Sequence, residues 1–297
     1  MKYIDLHIHG GFGTDLMKAD AEKVNDLSVN LKKQDVCAWM PTLIGDRLDI
    51  LEERVKTIAE AAKYNRGADI LGVHIEGPFI SDKKSGVLPK ENILPCDTKF
   101  FDRLSKYGLL LRFTVASEAE NALDFIKYAV KNGGTVTLGH SDDDGSMTQK
   151  AIEAGASGFT HLFNAMRGIH HRDGSITKAA LLSGLPCEII ADKKHLSAET
   201  LRMIYRIIGI ENVVLVTDAM SAMQSEAGEY DFCNKKVYYN GETVEYQGIL
   251  AGSCLTMPKA LHNFCEVNGL DEKSTAEAVL KNSLKMIKRE DLFEKYI

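Results

Sequence analysis

Eight short apolar runs of strand length alternate with longer amphipathic stretches along almost the whole sequence. The runs are KYIDL, VCAWMPT, DILGVHI, LLLRFTV, TVTLG, GFTH, CEIIA and NVVLVT. The intervening stretches, such as EAENALDFIKYAVKNG and SAETLRMIYRIIG, begin with acidic or Ser/Thr residues and end at Gly or Asn, as helices do. Eight strands alternating with helices predict an α/β fold, a (β/α)8 TIM-type barrel, although strand count alone does not exclude an open α/β sheet.

We expect residues 1–297 to form a single domain. A chain of 297 residues can bury one large core, and α/β barrels reach this size as one domain. The sequence contains no low-complexity tract, fixed-period repeat or obvious linker. One segment interrupts the alternation, at residues 230–252, where short β runs flank an Asn-Gly turn. This pattern predicts a β-hairpin insertion after strand eight and before the last helix.

Charge and composition narrow the classes of function. The net charge is −6, and Lys and Arg are scattered along the chain, which argues against nucleic-acid and membrane-surface binding. No apolar stretch is long enough to span a bilayer, and the N-terminus lacks the pattern of a signal peptide, so we expect a cytoplasmic protein. The six cysteines show no close pairing and fall mostly in apolar runs, as reduced cysteines do. Chemistry on a small molecule is the remaining expectation.

The residues capable of metal binding or acid–base chemistry follow predicted strands. They are His7, His9, Glu76, His140, His161, His195 and Asp218. In a TIM barrel the carboxyl ends of the strands form the face on which active sites are built. We therefore expect these side chains to meet in one site.

Each of these residues also has a purely structural interpretation. His7 and His9 lie on one face of a strand and suit a single ion, but such a pair is also common on surfaces and in polar cores. Glu76 alone fits a helix N-terminus or a core ion pair, and Asp218 alone fits a helix N-cap. Independent structural residues have no reason to gather at one barrel face, so their coincidence predicts a metal site.

The motifs IDLHIHGG, GVHIEGPFIS, LGHSD, THLFNAM, HHRDG, IIADKKH, VLVTDAM and LAGSCLTM occur in this order over nearly the whole chain. In this series the chain resembles the N-acetylglucosamine-6-phosphate deacetylases of the amidohydrolase superfamily. The resemblance implies that the main divalent ion binds to Glu76, His140 and His161. It implies that a second ion binds to His7 and His9 with Glu76 bridging, and that Asp218 is the catalytic acid/base.

The resemblance also implies a substrate and an assembly. The reaction would be metal-dependent hydrolysis of the N-acetyl group of N-acetylglucosamine-6-phosphate to glucosamine-6-phosphate and acetate, in amino-sugar catabolism. The implied lining of the sugar-phosphate pocket is Asn164, Ala165, Arg172, His195, Leu250, Ala251 and Gly252. Arg172 would reach the phosphate in the neighbouring site of a homodimer. Zinc is the expected metal, one or two ions per subunit, while His and carboxylate ligands also suit iron, manganese or cobalt.

Three departures from the family pattern leave alternatives open. Family members carry N- and C-terminal β segments that form a small β-sandwich domain, and we expect this chain to lack that domain. Leu88 stands where His or Gln is common and removes a polar substrate contact, and Lys193 replaces a usual glycine at a position expected to face the substrate. The alternatives are deacetylation of N-acetylgalactosamine-6-phosphate, hydrolysis of another amide, and a non-catalytic sugar-phosphate-binding barrel.

Overall fold

A computed structural model describes all residues 1–297 and contains the predicted barrel. Eight parallel strands pair in chain order around it. Their bounds are Tyr3–Ile8, Val36–Ile44, Val73–Glu76, Leu111–Val115, Thr135–Leu138, Gly158–Phe159, Cys187–Ile189 and Val213–Leu215. The two-residue strand Asp69–Ile70 pairs with the second barrel strand, and Gly10–Gly11 pairs with Thr14–Asp15 beside the first. The prediction of an α/β barrel is confirmed.

Helices connect the strands and cover the outside of the barrel. They are Ala21–Lys33, Leu48–Lys63, Thr98–Leu104, Ala122–Lys131, Ser146–Glu153, Ile176–Leu182, Ala198–Ile208, Met257–Asn268, Glu272–Met286 and Phe293–Tyr296. The helix Ala198–Ile208 begins where Ser197 accepts a hydrogen bond from the Thr200 amide, and it buries Leu201 and Ile204 against the barrel. None of the helices combines the length and the apolar character that crossing a bilayer requires.

Backbone hydrogen bonds join the end of the first strand to the residues that follow the eighth strand. The amide of Asp218 donates to the carbonyl of His7 at 2.8 Å, and the amide of His9 donates to the carbonyl of Ala219 at 2.8 Å. These bonds close the barrel at its carboxyl end, so residues from the two ends of the strand series lie side by side. The barrel interior also holds fully buried charged groups, Arg112 and Glu188.

The segment after strand eight is larger than the predicted hairpin. It forms a four-stranded antiparallel sheet of Gly228–Phe232, Lys235–Tyr239, Val244–Tyr246 and Ile249–Leu250. The Asn-Gly connection is present, but tight turns at Cys233-Asn234 and Gln247-Gly248, all four residues with positive φ, add one strand on each side of the predicted hairpin. Cys-Asn and Gln-Gly are weaker turn signals than Asn-Gly, so the sequence pattern missed the first and last strands of this sheet. Two long helices follow this sheet, where one was expected.

The inserted sheet packs on the carboxyl face of the barrel through an apolar cluster of its own. Leu88, Phe232, Val237 and Val244 belong to this cluster. Lys235 also donates from Nζ to the carbonyl of Val87 at 2.8 Å, which ties the sheet to the loop after the third strand. The insertion therefore forms one wall above the ends of the strands.

Candidate metal centre and substrate cavity

Four imidazole rings converge on the carboxylate of Glu76. Its Oε1 lies 2.9 Å from His161 Nε2, 3.1 Å from His140 Nε2 and 3.4 Å from His7 Nε2. Its Oε2 lies 3.3 Å from His9 Nε2. The predicted cluster of metal-binding residue types at the strand ends therefore exists as one compact group.

Strand geometry aims these side chains. His7 lies in the first strand and His9 directly follows it, so the two rings share a face and their Nε2 atoms are 3.2 Å apart. His140, His161 and Asp218 follow their strands with φ of +48°, +28° and +50°. Such conformations cost on the order of 1–3 kcal/mol each in non-glycine residues and concentrate at functional sites. Here they turn the side chains inward over the barrel mouth.

The cluster holds buried negative charge that requires positive charge nearby. Burial alone raises the pKa of Glu76, but attraction to His7 and hydrogen bonds from His140 and His161 outweigh it and leave the pKa well below its usual value. Burial likewise opposes protonation of His9, yet hydrogen bonds to Asp218 and Glu76 outweigh it and raise the pKa of His9 to about 10. A divalent ion bound here would neutralise the same carboxylates.

The donor atoms fit a divalent metal. They form two sets that share Glu76: His7, His9 and Glu76; and Glu76, His140 and His161. Ligands bound at about 2.0–2.2 Å to one tetrahedral ion lie about 3.3–3.6 Å apart, close to the separations between these donors. Nitrogen and carboxylate oxygen are ligands that zinc and other first-row metals accept. The residues present can therefore hold one or two ions.

Asp218 borders the same cluster. Its Oδ1 lies 3.3 Å from His7 Nε2 and 3.2 Å from His9 Nε2. Burial alone raises the pKa of Asp218, but attraction to His7 and a hydrogen bond from His9 outweigh it and lower the pKa below its usual value. The carboxylate is thus ionised at neutral pH and faces the cavity, as a general base must.

A cavity of about 350 Å³ opens above the cluster. It is lined by His9, Glu76, Gly86, Val87, Leu88, His140, His161, Asn164, Ala165, His195, Asp218, Phe232, Ile249, Leu250 and Gly252. Most of the expected substrate contacts therefore lie in one place. Ala251 does not line the cavity, because it is fully buried in the apolar cluster of the insertion. Arg172 is also outside the lining, in the exposed loop 168–174.

His195 is oriented by a carboxylate that the sequence pattern did not single out. Its Nδ1 lies 2.6 Å from Asp192 Oδ2, which leaves Nε2 free to point at the cavity. Burial opposes protonation, but the hydrogen bond and attraction to Asp192 outweigh it and raise the pKa of His195 above its usual value. A cationic His195 suits an anionic group of a ligand.

Leu88 and Lys193, the two loop residues that differ from the family pattern, have different structural consequences. Leu88 lines the cavity and packs in the apolar cluster, so an apolar side chain does stand at the wall. Lys193 does not face the cavity, contrary to the expectation, because its ammonium group pairs with Glu266 on the outer surface. Its φ is +63°, a conformation that explains why a glycine suits this position.

Sequence reasoning also missed Glu188, Arg112 and Phe232. Glu188 contacts His7 from inside the barrel, and burial, which alone raises its pKa, is outweighed by Arg112 and His7, so that the pKa falls to about 2. The available signal was a charged residue within an apolar strand run, as in CEIIA and LLLRFTV. Phe232 had no such signal, because its place at the cavity depends on how the insertion packs.

A parallel (β/α)8 barrel with clustered histidines and carboxylates at its carboxyl face defines a metal-dependent hydrolase of the amidohydrolase kind. The chain is 32% identical over 292 residues to the N-acetylglucosamine-6-phosphate deacetylase of Bacillus subtilis, covering 96% of this chain and 74% of that relative. It is also 32% identical over 288 residues to the N-acetylgalactosamine-6-phosphate deacetylase of Escherichia coli O157:H7, covering 95% and 75%. The chain belongs to the N-acetylglucosamine-6-phosphate deacetylase family.

Solved structures agree with this assignment. The crystal structure of the N-acetylglucosamine-6-phosphate deacetylase from Pasteurella multocida superimposes with a TM-score of 0.91 at 27% identity, covering 98% of this chain and 77% of that one. The Thermotoga maritima enzyme gives a TM-score of 0.91 at 28% identity, covering 97% and 78%. No protein-family model matches the chain.

Proposed function

We propose that this protein hydrolyses the N-acetyl group of N-acetylglucosamine-6-phosphate, releasing acetate and glucosamine-6-phosphate in amino-sugar catabolism. The observation that carries the proposal is the convergence of four imidazoles on Glu76, with Asp218 at the edge of the same cavity. Membership of the deacetylase family supports the substrate class. We further propose that residues 1–297 act as one catalytic domain in the cytoplasm, since the charge of a sugar phosphate prevents unaided passage across a bilayer.

The main ion would bind to Glu76, His140 and His161, and a second ion to His7 and His9 with Glu76 bridging. Zinc is the proposed metal, with iron, manganese and cobalt as alternatives that the ligand types also allow. A divalent ion at this site would polarise the amide carbonyl and acidify the attacking water. The histidine rings hold their Nε2 atoms toward Glu76, and His140 is kept in place by the Lys84 carbonyl at 2.7 Å from its Nδ1.

Asp218 would move the protons. Its ionised carboxylate takes a proton from the water as the water oxygen bonds to the amide carbon. It then gives that proton to the nitrogen as the carbon–nitrogen bond breaks, so acetic acid and a free amine leave, and the acid loses its own proton to become acetate at neutral pH. The lowered pKa of Asp218 keeps its carboxylate ionised and so able to accept a proton, and proton transfer by a positioned group contributes about 10²–10⁴-fold in rate.

The phosphate would be held by His195 and by an arginine from a second subunit. The cavity lining of one chain contains no Lys or Arg, although a phosphate monoester is dianionic near neutral pH. Arg172 lies on the exposed loop 168–174, where it can reach a neighbouring molecule. A guanidinium donates two parallel hydrogen bonds to phosphate. We therefore propose a homodimer in which Arg172 completes the partner's site, while Asn164, Ala165, Leu250 and Gly252 contact the sugar.

N-acetylgalactosamine-6-phosphate is the second candidate substrate. The Escherichia coli relative that carries this activity in its name is 32% identical, the same value as for the Bacillus subtilis enzyme. Leu88 at the cavity wall also differs from the polar residue common in the family. The two sugars differ only in the orientation of one hydroxyl group. A different side chain in the cavity wall can therefore change which of the two sugar phosphates is the better substrate.

Acetate release from purified, metal-loaded protein tests both candidates. The two N-acetylhexosamine-6-phosphates are compared at equal concentration, with unphosphorylated N-acetylglucosamine as the control. A higher kcat/KM for N-acetylglucosamine-6-phosphate supports the proposal, and a higher value for the galactosamine compound replaces it with the second candidate. No metal-dependent acetate release from either sugar phosphate contradicts both.

A further inference from the structure

Glu188 and Arg112 form a fully buried ion pair inside the barrel, beneath the metal-binding cluster. Their charged groups are 2.5 Å apart, and neither side chain has exposed surface. Arg112 also donates to the Leu6 carbonyl at 3.1 Å and to Thr137 Oγ1 at 3.1 Å. A buried ion pair often adds no more stability than apolar residues of the same volume. Stability by itself is therefore a poor explanation for this pair.

The second carboxylate oxygen of Glu188, Oε2, contacts the metal-binding cluster. Its Oε2 lies 3.1 Å from His7 Nδ1 and accepts a hydrogen bond from the His161 amide at 3.1 Å. A carboxylate at Nδ1 keeps the ring proton on that nitrogen and leaves a lone pair on Nε2. His7 Nε2 is the atom that faces Glu76 and His9. By contrast, Nδ1 of His9 has no hydrogen-bond partner.

We propose that Glu188, held by Arg112, is a positioning residue for His7. It fixes the ring orientation and tautomer in which Nε2 is available to an ion at the His7, His9 and Glu76 set. The inference rests on the proposed metal-binding role of His7. Loss of a carboxylate behind a ligating imidazole typically weakens metal binding about 10–100-fold.

Zinc titration of the chelator-treated protein tests this role independently of catalysis. In Glu188→Ala and Glu188→Gln we expect the Kd of the more weakly bound ion to rise about 10–100-fold. We expect the Kd of the tighter ion to change by less than about threefold. The control is Asn282→Ala, which removes hydrogen bonds to the carbonyls of Ile210 and Val213, outside the cluster. It should lower the melting temperature and leave both Kd values unchanged.

His7→Ala separates this inference from the proposed function. If His7→Ala binds both ions as the parent does, His7 is not a ligand and the inference falls with that assignment. If His7→Ala loses the weaker ion while both Glu188 variants keep the parent Kd values, only the positioning role is overturned. Equal weakening of both ions in Glu188→Gln also overturns it. Should Glu188→Ala fail to fold because Arg112 is left unpaired, the isosteric Glu188→Gln variant decides.

Discussion

The carboxylate of Glu76 lies 2.9 Å from Nε2 of His161, although the two residues are 85 positions apart in the sequence. Glu76 ends the third barrel strand and His161 follows the sixth. These strands are not neighbours in the sheet, so the contact exists only because the barrel curves back on itself. The same curvature brings His7 and His9 to the same carboxylate, and Asp218 to His7.

Replacing Asp218 with Asn should abolish turnover while metal binding persists. The amide keeps the shape of the side chain but cannot accept the proton from water, so we expect a loss of at least about 10²–10⁴-fold in kcat. The measurements are kcat and metal per chain on the same preparation. Asp231→Asn, on the exposed edge of the inserted sheet, serves as the matched control and should keep the parent rate. A variant Asp218→Asn that retains most of its rate would show that another group moves the proton.

Removing both His7 and His9 should lower the metal content by about one ion per chain under metal-replete conditions. The set formed by Glu76, His140 and His161 stays complete, so one ion should remain. Elemental analysis after removal of free metal gives the count. The exposed His262, paired with Glu272 on the surface, provides a control substitution that should change nothing. Parent-like metal content in the double variant would mean that the pair is structural.

Replacing Arg172 with Ala should reduce kcat/KM for the phosphorylated substrate about tenfold to a hundredfold. A charge-assisted hydrogen bond is worth about 1.5–3 kcal/mol, and each 1.4 kcal/mol is a factor of ten. The unphosphorylated sugar should change little, because it has no group for the arginine. Arg47→Ala, an exposed arginine remote in sequence from this loop, is the control. Equal losses on both sugars would exclude a phosphate contact.

Mixing inactive Asp218→Asn chains with impaired Arg172→Ala chains tests where Arg172 acts. Asp218→Asn chains supply an intact Arg172, and Arg172→Ala chains supply an intact Asp218. If the arginine completes the neighbouring site, mixed dimers contain one repaired site and activity should rise above that of either variant. The measurement is acetate release after subunit exchange has been verified with differently tagged chains. Without a rise, each site is built within one chain.

The affinity for the phosphorylated substrate should depend on the protonation of His195. Asp192 raises the pKa of His195 above its usual value, so the cation persists to higher pH than in an isolated histidine. KM should therefore rise as the pH increases through this raised pKa. In Asp192→Asn the rise should begin at lower pH, as measured by KM across a pH series. The pair of His195 and Asp192 also stabilises the folded protein. This stabilisation is complete below the pKa of histidine in the unfolded chain, and it is lost as the pH rises above the pKa of His195 in the folded protein. Identical KM profiles for the two proteins would contradict this role.

Replacing Lys193 with Gly should stabilise the protein. Lys193 has a φ of +63°, which costs a side-chain-bearing residue roughly 1–2 kcal/mol and glycine almost nothing. The greater flexibility of glycine in the unfolded chain offsets part of this, so we expect a net gain of about 0.5–1 kcal/mol. The exposed pair with Glu266 contributes little. Urea denaturation measures the change, and Lys194→Gly, at a position without positive φ, should lower the stability. A loss in both variants would refute the strain argument.

The sequence by itself determined the barrel and the positions of the metal-binding residue types. Strand and helix periodicities are local, so the alternation of apolar runs and amphipathic segments could be read without knowing any long-range contact. Because parallel strands in a barrel end at one face, residues such as Glu76 and His140 could be assigned to a common site from their place after a strand. The motif series added the family and the candidate roles.

Only the tertiary structure decided the contacts between distant segments. It turned Lys193 outward to Glu266, buried Ala251 in the inserted sheet, and added the first and last strands of that sheet. It also brought Glu188 to Nδ1 of His7 across 181 residues of sequence. Such pairs carry no local periodicity, since their energy depends on burial and on partners supplied by other strands. Closure of the barrel, rather than any segment alone, determines which charges meet inside it.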